Sequence, residues 1–492
     1  MNRIPRACLI LAAAAVAAIT ALRVSTCWRT DAYLDHVAGV WFALADDLRH
    51  GVFYRPVYGP LGYGGTRYAP IVFVLLAGLM NVARDPRMAG YTLSFLSAVL
   101  LLGGVYALMR SLSVDRLLSA CCTILVLAPQ TGQQILFTVR GDALPAALVV
   151  SSLVICSVLP DRWMAIVAAA LLDTLAFAAK LTSLYAAGVV FLFLLFSGRR
   201  RRAIQFLILI VIGVFSACAL VYFASDGRVF EVIRMSAAGG GNWTDFVRAP
   251  VNMAYFMSVD LATLPFFVLA VGALFAWPRN VFRELAPLFF LTAVGATLVI
   301  YGSPGTDINH LLDVQVAAVI LTAVWISRSE KGPALFAIQA LAMAGLLSLS
   351  PAWLAFRRRD VVPERQRVEF TLHMLGPHPG IILSENPLFP ILAHQEPYVL
   401  DPFAIRAISE GNPSFADPLR RMLEERKFSV VLLEKYPFTD YGRWWYSTVH
   451  FGDGFVDLLA KDYRPILRIS GDPVEHTQGE TVLVPRRPPQ EP

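Results

Sequence analysis

The chain of 492 residues is 56% hydrophobic and only 16% charged, with a mean hydropathy of +0.58. A soluble protein of this size carries about 25% charged residues, so the composition excludes a soluble enzyme and implies a polytopic membrane protein. The net charge of +6 reads as loop arginines that fix topology; no basic-aromatic module accompanies it, which excludes nucleic acid as a partner.

The N-terminal Met1–Arg6 and the Ala-rich run after it imitate a signal peptide, but no A-x-A site closes the run and many apolar runs follow, so a retained first helix is expected. Apolar runs are Ala7–Leu22, Met88–Met109, the weaker Leu117–Ala128, which can extend into the polar residues after it, Ala143–Leu159, Trp163–Ala179, Leu181–Ser197, Ala203–Ala224, Leu261–Trp277, Leu285–Ile300, Leu311–Ile326 and Pro333–Phe356. A span needs roughly 20 apolar residues, with a lower limit near 17. Ile71–Ala83 is shorter and follows Pro70, which suits an interfacial or re-entrant segment. Charge decides the parity. If Ile71–Ala83 does not cross and Arg3 and Arg6 are inside, then Arg110, Arg116, Arg162, Arg199–Arg202, Arg279, Arg283, Arg328 and Lys331 all fall inside, as the positive-inside rule prefers. The expected architecture is an α-helical polytopic membrane domain over residues 1–356, with about eleven spans, in the cytoplasmic membrane with its N-terminus cytoplasmic.

Beyond Phe356 the composition turns soluble. Gly380–Ser384, Pro397–Leu400 and Phe428–Leu433 read as strands, Asn386–His394 and Pro413–Lys427 as helices. A small extracytoplasmic α/β domain over 357–492 is expected. The six cysteines lie mostly in apolar runs, none after Cys218; they read as buried thiols, with neither disulfide nor zinc spacing.

The outside loops collect the unusual polar residues: Asp31–Pro70, Pro129–Asp142, the turn at Lys180, Ser225–Asp260 and Gly302–His310. The first carries Asp31, Asp35, Asp46, Asp47, Arg49, Arg55 and Arg67 in a chain otherwise nearly free of charge over its first 350 residues. An aspartate there, Asp35 or Asp31, suits a general base within hydrogen-bond reach of a hydroxyl; the plainer alternative is a helix cap. Arg55, Arg67 and Lys180 suit an anionic phosphate, against surface charge for the arginines and snorkelling for the lysine. Tyr54, Tyr58, Tyr63 and Tyr68 suit either the site or an interfacial belt. Arg140 and Asp142 stand just before Ala143, where Asp142 either caps a helix or supplies a second acid, with Arg140 pairing it or a phosphate. Asn309, His310 and Asp313 open a later span. Asp173 falls in mid-run, where an ionised group costs about 2.5–3.5 kcal/mol or more, so it should face the bundle interior. Asn242–Trp243–Thr244 matches a glycosylation sequon, a pattern common by chance.

These features resemble the GT-C superfamily of membrane glycosyltransferases, which includes protein O-mannosyltransferases, aminoarabinose transferases and oligosaccharyltransferase catalytic subunits. The family places an acidic motif after its first helix, about fifteen residues before a glycine, and Asp35 to Gly51 fits this best. An outside Arg-x-Asp resembles Arg140 and Asp142. A Lys-Thr at an outside helix end resembles Lys180 and Thr182, with Leu181 intervening. An outside soluble domain often follows the bundle. His36 stands where many relatives carry a second acid, which argues against a metal held by an acidic pair. The resemblance implies no cofactor, a polyprenyl-phosphate sugar donor entering from the membrane lipids, and inverting transfer to an acceptor hydroxyl at the outer face. It implies Asp35, Asp31 or Asp142 as catalytic acids and Arg55, Arg67, Tyr68, Arg140, Lys180, Asn309 and His310 around the substrate. The competing reading is a transporter or flippase for lipid-linked saccharides, which Asp173 suits; the internal hydropathy repeat such proteins often show is not visible.

Overall fold

The computed structural model describes residues 3–31, 33–238, 243–277, 281–303, 305–329, 337–343, 345, 371–373, 380–469 and 480–486. Apolar runs become helices because, in lipid, a helix satisfies its own backbone. α1 (Arg3–Thr30) is followed by α2 (His36–Arg49), a hairpin of β1 (Tyr58–Gly59) and β2 (Gly62–Tyr63), α3 (Pro70–Met80) and α4 (Pro86–Ser111). Then come α5 (Arg116–Leu125), α6 (Gln130–Gln134), α7 (Ala143–Val158), α8 (Trp163–Ala179), α9 (Tyr185–Phe196) and α10 (Arg200–Ala224). α11 (Arg228–Ala238), α12 (Trp243–Val259), α13 (Thr263–Phe275), α14 (Leu285–Tyr301) and α15 (Leu312–Arg328) complete the bundle. Within α1, α4, α10 and α15 with its preceding turn lie segments long and apolar enough to cross a membrane. α10 presents Val211, Phe215, Leu220 and Phe223 outward, as a lipid-facing helix does.

α4 packs along α7, α7 along α8, α8 against α10, and α13 and α14 against α15, around one apolar core. Side-chain contacts distinguish the two ends. At one, Ser111 meets Ser157 at 2.6 Å, Asp161 pairs with Arg199 at 2.9 Å and Glu284 pairs with Arg328. This end carries the arginine clusters. The other end gathers the start of α4, the start of α7, the end of α8 and the start of α15.

Several expected segments take a different form. The run 117–128 is the ten-residue helix α5, too short to span alone; the crossing is completed by turns and α6, where Thr131 meets Asp260 and Ile308 at the other end. The segment 129–142, expected as an outside loop, is folded into the bundle with Thr131, Gln133 and Gln134 buried. Some of its polar groups are matched within the bundle: Asp260 accepts from the Gln130 and Thr131 amides, and Gln133 from Arg23. Residues 225–260 are not a loop but contain α11 and α12, the latter with Trp243, Val247, Val251, Tyr255 and Val259 exposed at i+4 spacing. α3 has 11 residues and rises about 16 Å, far short of the roughly 30 Å hydrocarbon core; it lies against α2, α4 and α8. Asn242 and most of 333–356 fall outside the described residues. Asp173 is fully buried along α8, facing the interior.

Residues 380–486 form a four-stranded sheet in the order β3 (Ile381–Ser384), β4 (Phe428–Leu433), β6 (Glu480–Pro485), β5 (Tyr463–Ile469), numbered along the chain. β3 and β4 are parallel and the other pairings antiparallel. With them go α16 (Leu388–Leu392), α17 (Pro402–Gly411), α18 (Asp417–Glu424) and α19 (Phe455–Asp462). The expected strand at 397–400 is instead a single bridge from Val399 to Tyr63, because this segment pairs with the first loop: Tyr63 N donates to Tyr398 O at 2.8 Å and Leu400 N to Tyr63 O at 3.0 Å. Gly62 permits that approach; its φ is +90°, and a Cβ there would lie 2.1 Å from Tyr398 O.

Candidate active site

Asp35 ends the turn after α1 and caps α2. Its Oδ1 accepts from the Ala38 amide at 3.0 Å, while Oδ2 accepts from Arg140 Nη2 at 2.7 Å. Arg140 also reaches Asp307 Oδ2, through Nη1, at 3.2 Å; it does not pair with Asp142. Asp142 stands just ahead of α7 without capping it through its side chain. Its two oxygens accept instead from Lys180 Nζ at 2.6 Å and Asn309 Nδ2 at 2.9 Å. Lys180 follows the C-terminal end of α8, where a cation is favoured by the exposed carbonyls. Four stretches far apart in the chain thus meet at one end of the bundle.

Of these side chains, Arg140, Asp142 and Asn309 line a small cleft, whose other walls are Thr131, Gln134, Ile135, Thr138, Ala143 and Leu312. Gln134 Oε1, Arg140 Nε and His310 Nδ1 are buried with no hydrogen-bond partner among the described residues. Each such group costs about 1–3 kcal/mol unless a ligand or water meets it.

Tyr68 stacks on Trp41 with centroids 4.4 Å apart. Trp41 in turn lies over Gly141, where a Cβ would come within 2.4 Å of the indole; the glycine between Arg140 and Asp142 is what admits the ring. Tyr68 sits in the field of Asp401, Arg67, Arg140 and Asp35, and burial raises its pKa. Arg67 is exposed, lies over the Phe403 ring at 4.6 Å and has no carboxylate partner among the described residues.

Burial works to protonate Asp35, but Arg140 and then His36 outweigh it and hold the carboxyl below its usual range. Burial acts the same way on Asp142, and Lys180 outweighs it. Burial would strip the proton from Lys180, but Asp142 and Asp313 hold it. The site is therefore a set of charged groups at neutral pH.

Two expected residues lie elsewhere. Asp31 is buried against Arg87, Oδ2 to Nη1 at 2.6 Å, with Tyr91 OH at 3.4 Å from Oδ1. Arg55 is 2% exposed and engaged by both oxygens of Asp47 at 2.6 Å, by Leu61 O at 3.0 Å and by Pro397 O at 2.7 Å. It joins the first loop to residues 380–486 and is not presented to the cleft. Asp307, absent from the expected set, was signalled by its place in the polar loop just before Asn309; nothing near Glu434 in the sequence hints that it touches His36.

His36, Glu385 and His450 bring ligand-type atoms within 4.8 Å of one another, the one such group among the described residues. Each is hydrogen-bonded as it stands: His36 Nδ1 to Glu434 Oε2 at 2.7 Å and His450 Nδ1 to Glu385 Oε1 at 2.7 Å. Glu385 accepts further from Trp445 Nε1, Tyr446 OH and the Glu434 amide at 2.7–2.8 Å. These are hydrogen-bond lengths, and the four donors fill the carboxylate, so the group is a hydrogen-bond network.

The fold, a helical bundle with charged groups gathered at one end beneath a loop and a mixed sheet, is similar to that of solved membrane proteins. The chain is similar to the crystal structure of ArnT from Cupriavidus metallidurans bound to undecaprenyl phosphate, with 12% identity over 95% of this chain and 97% of that one, TM-score 0.58. The apo state of the same protein gives 12% identity, the same coverage and TM-score 0.56. The apo oligosaccharyltransferase of Archaeoglobus fulgidus matches 94% of this chain and 73% of its own, with 12% identity and TM-score 0.55. The sequence matches no family model, and no curated protein matches it.

Proposed function

We propose that the protein transfers a sugar from a polyprenyl-phosphate donor to an acceptor hydroxyl, with inversion, at the extracytoplasmic face of the cytoplasmic membrane. The observation that carries this reading is Asp35: one oxygen locked by its own helix, the other on Arg140, which itself borders the cleft. The fold likeness to a protein solved with undecaprenyl phosphate supports the donor class, and the arginine-rich opposite end supports the orientation.

Asp35 accepts the acceptor hydroxyl proton as the hydroxyl oxygen bonds to the anomeric carbon. The carbon–oxygen bond to phosphate breaks on the opposite side, and its electron pair leaves with the phosphate. Arg67 meets the leaving phosphate as the cation without a carboxylate partner, and Arg140 and Lys180 share their donors with it. Asn309 and His310 hold the donor beside Asp142, and Tyr68 with Trp41 forms a wall.

The test is release of undecaprenyl phosphate from a panel of undecaprenyl-phosphate-linked hexoses and pentoses, with membrane fractions as acceptor source. Asp35→Asn should lower transfer by about 10²–10⁴-fold, the range for a positioned base, at unchanged membrane abundance. Asp31→Asn is the control and should retain activity per folded molecule. Full activity in Asp35→Asn overturns the assignment, and sugar movement without transfer would favour the transporter reading.

A further inference from the structure

The residues on both sides of Asp35 are held by side chains from the far end of the chain. Glu434 Oε1 accepts from the His36 amide at 2.7 Å, and its Oε2 meets His36 Nδ1 at 2.7 Å. Asn386 Nδ2 donates to Leu34 O at 2.8 Å. One turn into α2, Gly39 has no side chain where Asn386 Oδ1 and Pro387 Cδ already lie: a Cβ would meet them at 2.2 and 2.8 Å. Glu434 is itself fixed, because its amide donates to Glu385, which Trp445, Tyr446 and His450 pin in place. Glu385, Asn386, Glu434 and His450 are each at most 3% exposed. A buried polar network satisfied in this way specifies one geometry.

We infer that residues 380–486 act in the reaction itself, with Glu434 clamping His36 by backbone and imidazole so that Asp35 is held at the cleft. Glu434 and His36 are positioning residues, and the inference rests on the reading of Asp35 as the base. Without the clamp, the N-terminal turn of α2 keeps its own cap, the Arg140 pair and the Asn386 bond to Leu34 O, and the His36 amide loses its acceptor. The charge of the clamp acts in the same direction as its geometry. Burial would deprotonate His36, but Glu434 outweighs it and raises the imidazole to about 9. The imidazolium then helps Arg140 to keep Asp35 ionised. The other charged or titratable groups facing this pair are Glu385 and His450 on the sheet side, Tyr68 in the first loop, and Asp307 behind Arg140.

The experiment uses full-length protein in nanodiscs and needs no identified acceptor for its first readout. Amide hydrogen exchange over 34–39 should accelerate by roughly tenfold or more in Glu434→Ala, since the His36 amide loses its acceptor. In the transfer assay kcat should fall by about 10–100-fold, the scale of a 1 Å misplacement, with KM for the lipid-linked sugar changed by less than about twofold. Glu434→Gln keeps an acceptor for the amide but not the imidazolium partner. It should show near-native exchange and an acid limb of kcat/KM moved to higher pH, because a neutral His36 no longer helps to ionise Asp35. If Glu434→Ala does not fold, Glu434→Gln and His36→Gln test the inference by the same limb. Native exchange, kcat and pH limb in these variants, with Asp35→Asn inactive, overturn the clamp and leave the base standing. Full transfer in Asp35→Asn overturns both.

Discussion

Arg55 separates a substrate-binding cation from a structural one, and its replacement is the sharpest test of the geometry. Arg55→Met keeps much of the aliphatic volume and removes the guanidinium. That leaves the Asp47 carboxylate, 6% exposed, without its two 2.6 Å donors, and leaves Leu61 O and Pro397 O without theirs. Removing one partner of a buried ion pair costs about 3–5 kcal/mol, because the other charge stays buried. Each orphaned carbonyl adds roughly 1–3 kcal/mol unless water reaches it. Against a total stability of about 5–15 kcal/mol for a typical domain, that loosens or unfolds the seam between the first loop and residues 380–486. Thermal unfolding of detergent-solubilised protein should show a large drop in Tm. Donor KM should be unchanged in the molecules that stay folded. The double variant Asp47→Asn/Arg55→Met should recover much of the loss, since it no longer buries a lone charge. A raised donor KM at native Tm would refute this account and return Arg55 to the substrate.

Arg67→Ala should behave in the opposite way: native Tm, but a donor KM raised by about 10–100-fold, from roughly 1.5–3 kcal/mol for a hydrogen bond to a charged group; an unchanged KM removes Arg67 from the phosphate. Asp35, with its folded pKa lowered by Arg140 and His36, should stay ionised below the ordinary aspartate value of about 3.9. Its stabilising contribution is present above the unfolded pKa and is lost as pH falls through the folded one. The acid limb of kcat/KM should therefore lie below about pH 4 and move up in Arg140→Gln, in a pH–rate profile on the folded fraction; a limb that does not move removes Arg140 as the cause.

Charge is rare in an apolar bundle, so each charged residue at a helix end stands out in the sequence. Asp35, Arg140, Asp142, Lys180 and Asn309 stood out for that reason, and their side-chain pairings lie at one end of the bundle. The choice between Asp31 and Asp35 was not legible, because both follow the same helix. What distinguishes them is the arginine each one meets, Arg87 or Arg140, and that is a property of packing. Arg55 reads as a phosphate-binding or surface cation and Asp47 as one more acid of the first loop, since nothing local shows that Pro397 lies over them. α11 and α12 were read as loop because a glycine run interrupts two amphipathic stretches, each too weak alone to suggest a span. The break between α5 and α6 was not legible, because apolar composition reports the run and not where its helix stops.

The lengths of the helices also bear on how a lipid-linked donor reaches the charges. α7 and α8 have 16 and 17 residues and rise about 24–26 Å, less than the roughly 30 Å hydrocarbon core. The Asp142–Lys180 pair stands at the ends of these two short helices. α3 and the 3-10 turn Leu181–Leu184 stand near the same end, with Val74, Leu75, Leu181 and Leu184 exposed. On the proposed function, that surface is the apolar footing of the prenyl chain, and the phosphate it carries meets Arg67, Arg140 and Lys180. A water-soluble nucleotide-sugar would gain nothing from such a placement, whereas the proposed polyprenyl-phosphate sugar would reach the site without leaving the bilayer.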